Sequence, residues 1–149
     1  VTQQCRPEDL ERVRAAYADA GIAAELAAFF TNLPERMAGA HLVMGRAGAS
    51  TVAELAVMGR PSLLVPLPHA IDNDQLNNAL SLTAAGGAWT IEQKDLSTER
   101  LAREIAALMQ EPDRLGEAAA KARAAGRPDA VVRLADLVVR IAAARAKAA

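Results

Sequence analysis

Over residues 1–91, short apolar runs alternate with stretches of helical spacing, and that alternation leaves few architectures open. A strand, a helix and a second strand close on each other as a right-handed parallel unit. The pattern therefore predicts an α/β fold, a Rossmann-like parallel sheet with helices on both faces. Pro61-Ser62-Leu63-Leu64-Val65-Pro66 is the clearest strand. It is apolar without alternation, as a strand buried on both faces requires. The other expected strands are 1–4, 24–30, 41–44 and 88–91. Segment 24–30 is ambiguous, because the chain holds 36 alanines and alanine favours helix.

Helix signals fill the gaps. Pro7, Glu8 and Asp9 open the first helix, where proline and acidic residues suit the first turn. Leu10, Val13, Ala16 and Tyr17 form its expected buried face, and Gly21 ends it. Further helices are expected at 33–39, at 50–58 closed by Gly59, and at 74–85 closed by Gly86-Gly87. Ser97 caps a helix running to 110. Another runs over 112–125 and a last one over 129–147, with Val132, Ala135, Val139 and Ala142 on one face. No repeat or low-complexity linker divides the chain, so the expectation is one doubly wound domain with extra C-terminal helices.

Composition removes several functions. A net charge of −1 argues against a general nucleic-acid binder, which carries a basic excess. A single cysteine, Cys5, excludes a disulfide framework or a multi-cysteine zinc site, and Cys5 is read as structural. His41 and His69 are too few for a histidine-rich metal site. No apolar run reaches the roughly 18–20 residues of a membrane span, and no basic-then-apolar signal opens the chain. A cytosolic, reducing compartment is the expectation.

In open α/β sheets, ligands sit beyond the carboxyl ends of the strands. Two loops there are rich in glycine and polar residues. The first is Gly45-Arg46-Ala47-Gly48-Ala49-Ser50-Thr51-Val52-Ala53-Glu54, between a strand and a helix. Its glycines admit close approach, and free N–H groups at the helix start favour an anion such as phosphate. Glu54, one turn inside, can accept two hydrogen bonds from the vicinal hydroxyls of a ribose. Thr51-x-x-Glu54 also fits a capping box, in which Glu54 serves only a backbone N–H. The local sequence leaves both open. Arg46 can pair with a phosphate or carboxylate.

The second loop runs from Pro66 through His69, Asp72, Asn73, Asp74 and Gln75 to Asn78. Asp72 and Asn73 read as turn residues. Gln75 is unusual as a cap, and its amide offers a sugar both donors and an acceptor. His69 can act as a base or a donor, although a lone histidine is more often structural. Phe29 is expected in the core, and Phe30, on the opposite strand face, at a base pocket. Trp89 is expected beside the last strand. Arg133, Arg140, Arg145 and Lys147 form a basic C-terminal helix that reads as a solvated face, with anionic lipid as the alternative.

Gly45 through Leu55, then Gly59-Arg60-Pro61-Ser62-Leu63-Leu64-Val65-Pro66, then His69 and Asp72 through Ala79, closely resemble the MurG-type glycosyltransferases of family 28. The tail from Ala122 to Ala130 fits the same family. These are UDP-N-acetylglucosamine:undecaprenyl-pyrophosphoryl-muramoyl-pentapeptide N-acetylglucosaminyltransferases of bacterial peptidoglycan synthesis. The ordered pair of loops carries the resemblance, which covers essentially the whole chain.

The resemblance implies the C-terminal, UDP-sugar-binding half of a two-domain GT-B enzyme. By the same resemblance, the half's first strand, with its glycine-serine phosphate loop, and the acceptor domain are expected to lie outside these 149 residues. It further implies that the Phe30 backbone meets the uracil. Ala49, Ser50, Thr51, Val52, Ala53 and Glu54 would lie along the phosphates and ribose, with Glu54 on the ribose hydroxyls. Gln75 would meet the N-acetylglucosamine hydroxyls, and Asp74 precedes it. Arg46, Gly48, His69 and Asp74 are further candidates. The implied reaction is inverting and needs no metal or other cofactor. It transfers N-acetylglucosamine to lipid-linked N-acetylmuramoyl-pentapeptide at the inner face of the plasma membrane. No residue here is a convincing general base, so the chain alone is expected to be inactive. Two alternatives are a stand-alone donor-binding subunit of a split transferase and another GT-B enzyme such as a UDP-sugar epimerase. An exposed sheet edge suggests self-association.

Overall fold

The computed structural model describes residues 1–69 and 71–148. The chain forms two compact units, Val1–Ala40 and His41–Ala149. The strands are all parallel, as the alternation predicted, but they form two hydrogen-bonded ladders rather than one.

In the first unit, β1 (Thr2–Gln4) pairs with β2 (Glu25–Ala27). Between them Pro7–Asp9 makes a 3-10 turn that leads into α1 (Leu10–Asp19). Gly21 then takes the left-handed conformation at φ 65° and ends the helical segment. The expected apolar face of α1 is only half-buried at Leu10, Val13 and Tyr17, and Ala16 is exposed, because this two-stranded ladder offers little surface to pack on. The Tyr17 hydroxyl donates to Gln3 Oε1 at 2.8 Å. Cys5 is a free, half-buried thiol just past β1.

The structure corrects the reading of Phe29. Phe29, expected in the core, is 73% exposed, and Phe30 is buried at 8%. The strand stops at Ala27, so the alternation assumed to continue through residue 30 no longer sets the side-chain directions. Phe30 packs instead under Arg36 of α2 (Leu33–Ala38), whose guanidinium carbon lies 4.2 Å from the ring centroid.

Arg36 also grips Glu25 through two 2.6 Å hydrogen bonds. Hydrogen bonding from Arg36, with its charge, holds the Glu25 carboxyl below the ordinary 4.5. The pair's contribution is therefore present above the unfolded carboxylate value and is lost as pH falls through the lowered one. Glu25 is expected to titrate below 4.5 by carboxyl NMR and to return toward that value in Arg36→Met. An unchanged titration would mean that Arg36 does not set it.

The second unit carries β3 (Val43–Gly45), β4 (Ser62–Leu64) and β5 (Ala88–Thr90), in the order β3-β4-β5. Every residue of β4 is buried, as its unbroken apolar run required. α3 (Ala49–Met58) connects β3 to β4 and ends at Gly59, in the left-handed conformation at φ 62°. α4 (Asp74–Ala84) leads into β5 and packs against it.

Ser97 caps α5 (Thr98–Gln110), its hydroxyl accepting from the Arg100 N–H at 3.1 Å. α6 (Pro112–Ala125) then lies against α3 and α5. Leu115, Ala118 and Ala122 are its buried face. Trp89 is half-buried in β5, with Arg114 of α6 stacked 5.2 Å from its ring centroid. The last helix, α7 (Ala130–Ala148), is exposed along residues 130–145. Val132 and Val139 of its expected apolar face are 62% and 66% exposed.

Candidate functional site

The loop after β3 sets up an open helix N-terminus. Gly48 is the N-cap of α3, extended and without any side-chain cap. The first helical bond runs from the Val52 N–H to the Gly48 carbonyl at 3.0 Å. The N–H groups of Ala49, Ser50 and Thr51 precede that bond and have no acceptor inside the helix. With the positive end of the helix dipole behind them, they suit an anion.

The capping box that competed for Glu54 does not form. Thr51 could be the N-cap only of a helix that began at Val52, but α3 begins at Ala49 with Gly48 as its N-cap, so Thr51 lies inside it. Glu54 is exposed and has no hydrogen bond or ion pair among the described residues. Ala49, Ser50, Ala53 and Glu54 are all exposed, spaced so that they share one helix face, while Leu55 and Ala56 turn inward. Thr51 and Val52 are half-buried.

The loop after β4 is laced to this first loop. Arg46 donates through Nη1 to the carbonyls of Val65 and Pro66, both at 3.2 Å, and through Nη2 to Gln93 Oε1 at 2.8 Å. In the other direction, Asn78 Nδ2 donates to the Ala47 carbonyl at 3.1 Å. The Arg46 guanidinium is thus engaged with protein acceptors at the ends of β4 and β5.

Three residues of the second loop, His69, Asp72 and Asn73, have φ of 60°, 53° and 53°. For Asp and Asn this fits the turn role read from the sequence, since both tolerate the left-handed region. Asp74 is the first residue of α4, and its Oδ1 accepts from the next N–H, that of Gln75, at 2.7 Å. Gln75 Oε1 accepts from the Leu67 N–H at 3.0 Å. His69 is exposed on the wall of a cavity of about 250 Å³, shared with Pro66, Leu67, Leu76, Gln93 and Lys94. A larger groove of about 580 Å³ runs along α7 and is bounded by that helix alone.

The second unit therefore brings together Arg46, Gly48, Ala49 through Glu54, Asp74 and Gln75. Phe30 belongs to the Val1–Ala40 unit and is described with it. Asn78 and Gln93 complete the lacing and were not singled out from the sequence. Asn78 had a usable signal, lying three residues after Gln75 and so on the same helix face. Gln93 had none, because nothing local marks a glutamine after β5 as the partner of an arginine 47 positions earlier. No group of three or more His, Cys, Asp or Glu that could hold a metal occurs among the described residues.

Comparison with known proteins gives a consistent result. The model of the glycosyltransferase family 28 C-terminal domain matches residues 1–134. A Rhodospirillum rubrum protein is 59% identical over 138 residues, 93% of this chain and 36% of its own length. Its name is UDP-N-acetylglucosamine--N-acetylmuramyl-(pentapeptide) pyrophosphoryl-undecaprenol N-acetylglucosamine transferase. A Bradyrhizobium diazoefficiens protein of the same name is 58% identical over 142 residues, 95% of this chain and 39% of its own. The crystal structure of Acinetobacter baumannii MurG superposes with a TM-score of 0.88 at 33% identity, over 93% of this chain and 42% of that one. The chain thus spans little more than a third of the length of these curated relatives.

Proposed function

This chain belongs to the glycosyltransferase family 28 C-terminal domains, and from that premise we propose that it is the donor-binding half of an inverting glycosyltransferase. The reaction moves N-acetylglucosamine from UDP-N-acetylglucosamine to lipid-linked N-acetylmuramoyl-pentapeptide. The observation that carries the reading is Glu54. It is an exposed carboxylate with no partner among the described residues, on the same helix face as an uncapped N-terminus. A free carboxylate suits ribose hydroxyls, and unpaired N–H groups suit the diphosphate beside them.

The division of labour follows. The C4 hydroxyl of the acceptor attacks the anomeric carbon, and the bond from that carbon to the diphosphate oxygen breaks. The bonding pair leaves on UDP, where negative charge grows. The N–H groups of Ala49, Ser50 and Thr51 and the α3 dipole are in place to receive that charge without reorganising. Gln75 meets the sugar. The base that takes the acceptor's proton, and the acceptor site itself, belong to the other half of the enzyme, so this chain alone does not turn over. A lipid-linked acceptor places the reaction at the cytoplasmic face of the plasma membrane. The association proposed for the whole enzyme is peripheral; no helix among the described residues is long and apolar enough to cross a membrane.

Ligand-observed NMR of the chain with UDP-N-acetylglucosamine, UDP and GDP tests the reading. Saturation transfer to the uridine ligands and not to GDP is the expected result, and equal transfer to all three would sink it. Gln75→Ala is expected to weaken UDP-N-acetylglucosamine roughly two- to tenfold, the range of one neutral hydrogen bond, and to spare UDP. Equal losses for both ligands would place Gln75 away from the sugar.

A further inference from the structure

We propose that Arg46 is a positioning residue which, through the Pro66–Leu67 peptide group, fixes the Gln75 carboxamide as a hydrogen-bond donor to the ligand. The inference rests on the donor-site reading above. It starts from two hydrogen bonds on opposite sides of one planar unit. The Pro66 carbonyl accepts from Arg46 Nη1 at 3.2 Å. The Leu67 N–H of the same peptide group donates to Gln75 Oε1 at 3.0 Å. Because the peptide is rigid and planar, holding its carbonyl also aims its N–H. A cation on the carbonyl polarises the group and strengthens the bond that its N–H makes.

The orientation of Gln75 follows from donor and acceptor chemistry. An N–H can be satisfied only by an acceptor, so the amide oxygen of Gln75 faces the backbone and its NH2 faces away. The side chain that the sequence offers as both donor and acceptor thereby has one acceptor lone pair engaged by the backbone and turns its two donors outward. Its natural partners are the hydroxyl and carbonyl oxygens of a sugar. Arg46 can do this because its fork reaches two elements at once. One nitrogen spans the Val65 and Pro66 carbonyls, while the other is anchored by Gln93 Oε1 at 2.8 Å beyond β5. A lysine, a point charge on a flexible stem, cannot hold both.

The test uses the 149-residue chain, labelled with 15N, as wild type, Arg46→Ala, Arg46→Lys and Gln75→Glu. Amide exchange is followed at Leu67, with Ile91, which donates to the Leu64 carbonyl at 3.0 Å, as the sheet reference. In Arg46→Ala, Leu67 exchange is expected to rise about tenfold or more with Ile91 unchanged, and Arg46→Lys is expected to restore little of the protection. With ligand, Arg46→Ala is expected to weaken UDP-N-acetylglucosamine about tenfold and UDP less than about twofold. Gln75→Glu is expected to keep Leu67 protected, since a carboxylate still accepts, yet to lose sugar-dependent affinity, since it cannot donate.

Wild-type Leu67 exchange in Arg46→Ala overturns the proposal, as does wild-type sugar affinity in Gln75→Glu. Equal loss of UDP and UDP-N-acetylglucosamine with Leu67 still protected would make Arg46 a direct phosphate ligand and also overturns it. If wild type binds neither nucleotide, the donor-site reading fails, and the exchange data alone decide whether Arg46 holds Gln75. If Arg46→Ala does not fold, Arg46→Lys carries the same exchange readout.

Discussion

Glu54→Ala is expected to raise the dissociation constant for UDP-N-acetylglucosamine roughly 10- to 150-fold, the range for loss of a charge-assisted hydrogen bond. UDP should suffer the same loss, because the ribose is common to both ligands. Titration calorimetry on wild type and variant measures it. The size of the effect follows from a feature of the free protein: Glu54 has no partner among the described residues, so nothing competes with the ligand for it. The same feature separates this role from capping. Were Glu54 a capping residue, its loss would lower the melting temperature and leave nucleotide affinity alone. The expected pattern is the reverse, and an unchanged dissociation constant would remove Glu54 from the site.

Gly87→Ala carries a large expected loss of stability. A Cβ at Gly87 would lie 2.7 Å from Ala122 Cα, 2.8 Å from its Cβ and 3.0 Å from its nitrogen. Those atoms belong to the buried face of α6, with Ala122 fully buried, so the added methyl meets backbone rather than the tip of a flexible side chain. Overpacking of this kind costs about 1–3 kcal/mol. For a chain of this size that is a drop of about 3–10 °C in melting temperature. Gly116→Ala is the matched control. It lies inside α6 with nothing within 4 Å of the added carbon, so helix propensity alone applies. A gain of about 0.5–1 kcal/mol is expected there. Equal effects at the two positions would mean that the close contact at Gly87 relaxes away.

The two outcomes depend on different levels of information, and so did the legibility of the sequence. Helix boundaries were readable wherever a local signal existed, such as Ser97 before α5, Pro112 in α6 and Gly59 after α3. The strand core Ser62–Leu64 was readable because burial on both faces leaves no polar positions. Phe29 was misread because period-two reasoning holds only while the strand lasts, and β2 ends at Ala27. The division into two ladders was not readable, since alternation predicts parallel strands but not which of them share hydrogen bonds. At the site, Thr51 and Glu54 satisfied the spacing of a capping box, but the box needs a helix that begins at Val52 and α3 begins at Ala49. The lacing by Arg46 joins residues 19, 20 and 47 positions away, and no local pattern encodes such distances.

The exposed α7 has a consequence for how the molecule reports on its surroundings. A nineteen-residue helix whose apolar side chains lie open to water, among them Leu134, Val138 and Ile141, draws almost nothing from packing. Most helical stability in proteins comes from packing of an apolar face, and β-branched Val131, Val132, Val138 and Val139 lower this segment's intrinsic preference for helix. The helicity of residues 130–148 is then set by contact. Anything that covers the apolar arc pulls the balance toward helix, and far-ultraviolet circular dichroism would register its arrival with no label attached.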